Sequence, residues 1–428
     1  MKIVQHPTPN QWPELLKRPA KDFRALEASV GAVMQDVKQR GDEALKEYTS
    51  TFDGVDISDF KVAKSELTAA LEAISPELRA AIELAIDNVA RFHRTQITEP
   101  VVVETMPGVT CWRKSVAIDK VGLYIPGGTA PLFSTVVMLA TPALLAGCKE
   151  IVLCSPPNKE GNIHPAILAA AALCGVTQVF KLGGTQAIAA MTFGTETVPA
   201  VYKLFGPGNT YVTVAKQLAV NEGLAIDMPA GPSEVLVCAD EGANPSFVAA
   251  DLLSQAEHGA DSQVILVAFT KEKAEAILVE VEKQLAVLPR QEFAAQSIAN
   301  SVTIVVKDQN VAANVINAYA PEHLILSMTD AREFSDRITN AGSVFLGYLT
   351  PESVGDYASG TNHTLPTYGY ARQYSGVSLD SFVKKITYQE LSATGIQNLG
   401  PSVMTMAAAE ELEAHRMAVE LRLNSIKK

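Results

Sequence analysis

Two rhythms of apolar residues run along the chain. From Lys120 to about residue 240, short runs rich in β-branched and aromatic residues (VGLYI, EIVLCS, QVFKL, VYKLF, EVLVC) alternate with Ala-rich stretches such as PLFSTVVMLATPALLAG and HPAILAAAALCG. Gly or Pro marks the strand ends, as in repeated β-α-β units that build a parallel sheet with helices on both faces. A second series follows, with strands SQVILVAF, SVTIVV, HLILSM and SVFLG separated by helical stretches such as NPSFVAADLLSQAEHG and VAANVINAYA. Ahead of both, residues 20 to about 95 carry helical spacing, and Ser75 is placed to cap SPELRAAIELAIDNVARFHRTQ. Beyond about residue 375 the strand rhythm stops and the chain ends in a helix with no sheet of its own.

The expected fold is α/β, with two incomplete Rossmann-like parallel-sheet domains, a helical N-terminal segment and a helical C-terminal tail. The expected borders are 1–100 for the N-terminal segment, packing with the second α/β domain, 101–238 for the first α/β domain, 239–375 for the second and 376–428 for the tail.

A length of 428 residues suits two to three domains, and 47% hydrophobic against 19% charged residues is enough for a large core. With 35 Lys and Arg against 47 Asp and Glu, the net charge of −12 argues against binding to nucleic acid or an anionic membrane and in favour of small molecules. Val121 to Cys148 carries no charge and invites a membrane reading, yet its GlyGly, prolines and hydroxyls predict a buried strand and helix. The five cysteines form no CxxC and sit mostly in apolar runs, which predicts reduced thiols. The first residues lack the apolar core of a signal peptide, so the expected location is the cytoplasm.

Ligands of parallel α/β sheets sit at the carboxyl ends of strands, which directs attention to three glycine-marked exits: Gly122 to Gly128, Lys181 to Gln186 and Phe205 to Asn209. Each opens a helix whose first amides suit a phosphate. No GxGxxG follows the first strand, and no acidic residue stands where a ribose would need one. A plain turn remains the simpler account of each loop alone.

A second group of residues suits a metal. Gln255 and His258 stand three apart on the last turn of a helix, the turn-rich TPESVGDYASGTNHTLPT offers Asp356 and His363, and the last helix offers Glu410 and His415. Nitrogen and oxygen ligands without thiolate suit zinc or manganese with positions left open for substrate. The adjacent Glu322 and His323 of APEH could supply a water-activating carboxylate and a base, or be an exposed loop pair. Ser233 and Glu234 read by themselves only as a good turn.

GLYIPGGTAPLFST, KLGGTQAIAAM, FGPGN, IDMPAGPSEVLV, DLLSQAEHG, YAPEHL, VGDYASGTNHTLPT and EAHR, in this order, closely resemble the histidinol dehydrogenases of histidine biosynthesis, over roughly residues 20 to 425. The resemblance implies oxidation of L-histidinol to L-histidine with two NAD through a retained aldehyde, one zinc per subunit, and a homodimer with exchanged C-terminal tails. By motif it assigns zinc to Gln255, His258, Asp356 and the partner copy's His415, and NAD contacts to Tyr124, Gln186 and Asn209. Substrate contacts fall on Ser233, His323, His363, Glu410 and the metal ligands. His323 is then expected to take the hydroxyl proton and Glu322 to activate the water that hydrates the aldehyde. A cysteine route through Cys111 or Cys148 lacks a His or Lys at a telling spacing. The alternatives are a related dehydrogenase of another amino alcohol, a metal-dependent hydrolase or a metabolite-binding protein, and reduction of NAD separates them.

Overall fold

The computed structural model describes residues 1–19, 24–127, 131–176, 178–229 and 231–426. Its strands are β1 (Lys2–Gln5), β2 (Val103–Met106), β3 (Val109–Ala117), β4 (Lys120–Tyr124), β5 (Glu150–Ser155), β6 (Gln178–Lys181), β7 (Lys203–Phe205), β8 (Ala225–Ile226), β9 (Glu234–Ala239), β10 (Gln263–Ala268), β11 (Val302–Val305), β12 (His323–Ser327), β13 (Ser343–Leu346) and β14 (Val383–Leu391). Chain contacts divide them between two units, Met1–Thr95 with Ile118–Phe382, and Gln96–Ala117 with Val383–Lys428.

The larger unit holds two parallel sheets, ordered β6-β5-β4-β7-β8 and β1-β11-β10-β9-β12-β13. If β1 is set aside, each runs third-second-first-fourth-fifth along its own stretch of chain, the order of an incomplete Rossmann sheet. The central strands are apolar because helices cover both faces: all six residues of β9 and of β10 are buried. The uncharged Val121–Cys148 stretch supplies β4 and the helix Phe133–Ala146, which ends at left-handed Gly147. Among the described residues, no helix is long and apolar enough to cross a membrane.

Three expectations about the domains need correction. The helices Arg24–Arg40, Lys64–Ala73 and Pro76–Arg94 pack on helices of the first sheet, whereas β1 and residues soon after it, among them Trp12, Leu16 and Arg18, join the second. Their apolar stripes decide this, as with Ile82, Ala85, Val89 and His93, which are buried along one face of Pro76–Arg94. Strand β9 lies beyond the expected first domain, paired between β10 and β12 in the second sheet. The tail does have a sheet: in the smaller unit β14 runs antiparallel to β3 from Val383–Ala117 to Leu391–Val109, and β2 pairs on the other side of β3. Residues 103–117 thus share a sheet with the tail strand and not with β4.

Candidate active site

Tyr124 ends β4, Gln186 lies in the first turn of Gly184–Phe193, and Asn209 caps Thr210–Asn221 by accepting from the Val212 N–H at 3.1 Å. Tyr124 and Gln186 are buried and Asn209 is exposed. The Tyr124 hydroxyl accepts from the Gly184 N–H at 3.1 Å, which joins the first loop to the second. The buried Oε1 of Gln186 has no hydrogen-bond partner. At Gly206 the backbone has φ +124°, and a Cβ would lie 2.1 Å from the Tyr124 carbonyl oxygen, so the third loop requires glycine there. Gly128 to Ala130 of the first loop and Ala230 of IDMPAGPSE lie outside the described residues.

At the second sheet the helix Gln309–Tyr319 ends in Ala320, held left-handed at φ 54°, and Pro321 then turns the chain into Glu322 and β12. Both Glu322 and His323 are buried. The backbone of one residue holds the two of them: the Glu234 N–H donates to Glu322 Oε2 at 2.8 Å, and the Glu234 carbonyl lies 3.1 Å from His323 Nδ1. The Glu234 side chain is in turn fixed by the Arg18 guanidinium, at 2.8 Å for Nη2 to Oε2, and by the Tyr368 N–H at 2.9 Å. Read alone as part of a turn, Glu234 is a buried anchor of the site, which only the fold reveals.

Gln255 is fully buried at the end of Pro245–Ala256, while His258, one turn on, is exposed. The turn-rich segment proves to contain a short helix, Glu352–Tyr357, whose i,i+4 spacing puts Glu352 and Asp356 on one face. Asp356 Oδ1 lies 3.4 Å from His323 Nε2, and Glu352 Oε1 accepts from Gln255 Nε2 at 2.6 Å. Glu352 escaped the sequence reading because its neighbours are turn formers. The four-residue spacing to Asp356 was the signal available. His363 Nδ1–H donates to the Asp356 carbonyl at 2.7 Å, and its Nε2 lies 3.1 Å from the Thr135 hydroxyl.

Burial sets the electrostatics of the cluster. It raises the Glu322 carboxyl and pushes Glu352 up to about 8. Burial alone would lower His323, but Glu322, Glu352 and Asp356 hold its imidazole well above the ordinary range. Asp356, despite burial, is kept low by the His323 ring beside it. Oxygen and nitrogen atoms of His323, Glu352 and Asp356 lie within 4.8 Å of one another, an arrangement able to hold a cation. Gln255 Oε1, His323 Nε2 and Glu352 Oε2 are all buried without a hydrogen-bond partner, so the cluster fits a metal that would satisfy some of them.

A cleft of about 460 Å³ joins the two regions. Pro126, Pro207 and Asn209 line it from the first sheet, and Ser233, Gln255, His258, Glu322, His323, Asp356 and His363 from the second. Neither Cys111 nor Cys148 lines it. Glu410 and His415 belong to the smaller unit, where both are exposed at the turn between Ala393–Ala409 and Glu413–Ile426 and just after it.

Glycine-marked strand ends and buried nitrogen and oxygen donors around one cleft are the equipment of a metal-assisted dehydrogenase. The model of the histidinol dehydrogenase family matches residues 16–423, and the chain belongs to that family. It is 59% identical to the histidinol dehydrogenase of Bacteroides thetaiotaomicron over the full length of both chains. To that of Escherichia coli K12 it is 54% identical, over 98% of this chain and 96% of the relative. The crystal structure of histidinol dehydrogenase from Elizabethkingia anophelis superposes with a TM-score of 0.98 at 54% identity, covering 100% of this chain and 99% of that one.

Proposed function

We propose that this protein oxidises L-histidinol to L-histidine in two NAD-dependent steps with the aldehyde retained between them. The observation that carries the reading is the single cleft lined by both glycine-loop residues and the Gln255, Glu322, His323 and Asp356 group. When bound, zinc would supply an anchor for the amine and imidazole of the substrate, and NAD the hydride acceptor. Gln255, His258 and Asp356 would hold the zinc, with His415 of a second copy completing the set, while Ser233, His363 and the second copy's Glu410 would orient the substrate. Tyr124, Gln186 and Asn209 would contact the dinucleotide. The protein would thus work as a homodimer, and its mostly buried cysteines, none of them in a disulfide among the described residues, suit the cytoplasm.

The acid–base work follows from the side chains. With Nδ1–H donating to the Glu234 carbonyl, His323 presents Nε2; bound zinc would offset the carboxylates that raise its imidazole, and the neutral ring then takes the hydroxyl proton while hydride leaves the carbon. Glu322, held by the Glu234 N–H, removes a proton from water as it adds to the aldehyde, and His323 serves again as the hydrate is oxidised. Separate assays of alcohol and aldehyde oxidation test these roles. His323→Asn should lower both steps by about 10²–10⁴-fold, whereas Glu322→Gln should impair aldehyde oxidation and largely spare the first step. Equal losses in Glu322→Gln would contradict the division.

A further inference from the structure

The first sheet lacks the acidic residue that a dinucleotide-binding sheet normally carries at the end of its second strand to accept the hydroxyls of the adenosine ribose. Here the second strand, β5, ends in Ser155 and continues as Pro156-Pro157. A carboxylate nevertheless reaches that place from a distant part of the chain. Asp53 closes the π-helical turn Thr49–Asp53, which left-handed Gly54 ends. The following residues then run along the edge of the sheet, with Val62 N–H to Val179 O at 2.9 Å and Lys181 N–H to Phe60 O at 2.8 Å. That pairing ties the turn to the carboxyl end of β6.

The surroundings of Asp53 are those of a cofactor loop. Its Oδ2 accepts from Gln186 Nε2 at 3.2 Å. A Cβ on Gly183 would meet Pro156 at 2.5 Å and Asp53 Oδ1 at 3.2 Å, and a Cβ on Gly127 would meet Pro156 at 2.8 Å, so glycines let two loops close on this point. The carboxyl is half-buried and is shifted to about 6 by that burial, with Gln186 the one polar group acting against the shift. The nearby Lys181 ammonium is engaged by Glu66 at 2.7 Å.

We propose that Asp53 accepts the adenosine ribose hydroxyls of the dinucleotide and thereby selects NAD over NADP. Two carboxylate oxygens can accept hydrogen bonds from both hydroxyls, whereas the 2′-phosphate of NADP would meet a negative charge. This rests on the reading of the glycine loops as the NAD site. A residue that only supported Gln186 would affect both dinucleotides alike, and discrimination between them therefore separates recognition from support.

The test is steady-state kinetics of the holoenzyme with histidinol and either NAD or NADP, for wild type, Asp53→Asn and Asp53→Ser. Asparagine keeps an acceptor for Gln186 but loses the charge. The KM for NAD should rise about tenfold in Asp53→Asn, the preference for NAD over NADP should narrow by at least about tenfold, and the KM for histidinol should report an intact second site. An unchanged ratio in both variants, whether or not both KM values rise, overturns the selection role. If wild type reduces no NAD with histidinol, the NAD reading falls first and this inference with it.

Discussion

The two parallel sheets share one strand order but turn opposite ends to the cleft. Pro126 and the Pro207–Asn209 loop follow the carboxyl ends of β4 and β7, where the strand order of the first sheet reverses. In the second sheet the corresponding pair is β9 and β12, and Ser233, Glu322 and His323 stand at their amino ends. The chemistry divides in the same way. The first sheet contributes glycine-shaped backbone and few titratable groups, as an extended cofactor needs. The second contributes buried carboxylates and imidazole, as proton transfer needs. Duplicated topology therefore does not bring duplicated use: the side of a sheet that works is set by its loops.

This contrast can be broken at each side. Glu352 holds the Gln255 amide so that its Oε1 is free, and Glu352→Gln should weaken zinc binding by about 10–100-fold in a competition assay with a fluorescent chelator, leaving the KM for NAD nearly constant. A matching rise in the KM for NAD would show that the two regions are not separable. Conversely, Gly206→Ala forces a Cβ against the Tyr124 carbonyl and should raise the KM for NAD by about tenfold without altering zinc affinity.

A separate effect, on stability and not on either site, concerns Asp251, on the helix that carries Gln255. Burial pushes its carboxyl up to about 7. The folded protein holds this proton up to that pH while the unfolded chain releases it near about 4, so stability from this group falls as pH rises between the two values. Asp251→Asn should be more stable than wild type by up to about 4 kcal/mol at pH 8 and equal to it below pH 4. Urea unfolding at the two pH values checks it, and a gain at low pH only would reverse the sign.

Much of the fold was legible because buried parallel strands and their glycine exits leave dense local signals, as at VGLYI and KLGG. The APEH pair and SQAEHG were legible for the same reason. Less local features were not. Glu352 lies among turn formers, Glu234 acts through its own peptide and through Arg18, some two hundred residues away in sequence, and β14 shows its strand character only when paired with β3. The rule that ligands meet carboxyl ends drew attention to the glycine-marked loops but pointed away from Glu322 and His323, since the order of β9 and β12 gives no sign of which end faces the cleft.

The central claim is that one cleft serves two successive oxidations, and the NADH formed per L-histidinol consumed tests it most directly, with chelator and with zinc restored. The account predicts two, abolished by the chelator and recovered with zinc. A value of one, with free aldehyde in solution, would contradict it.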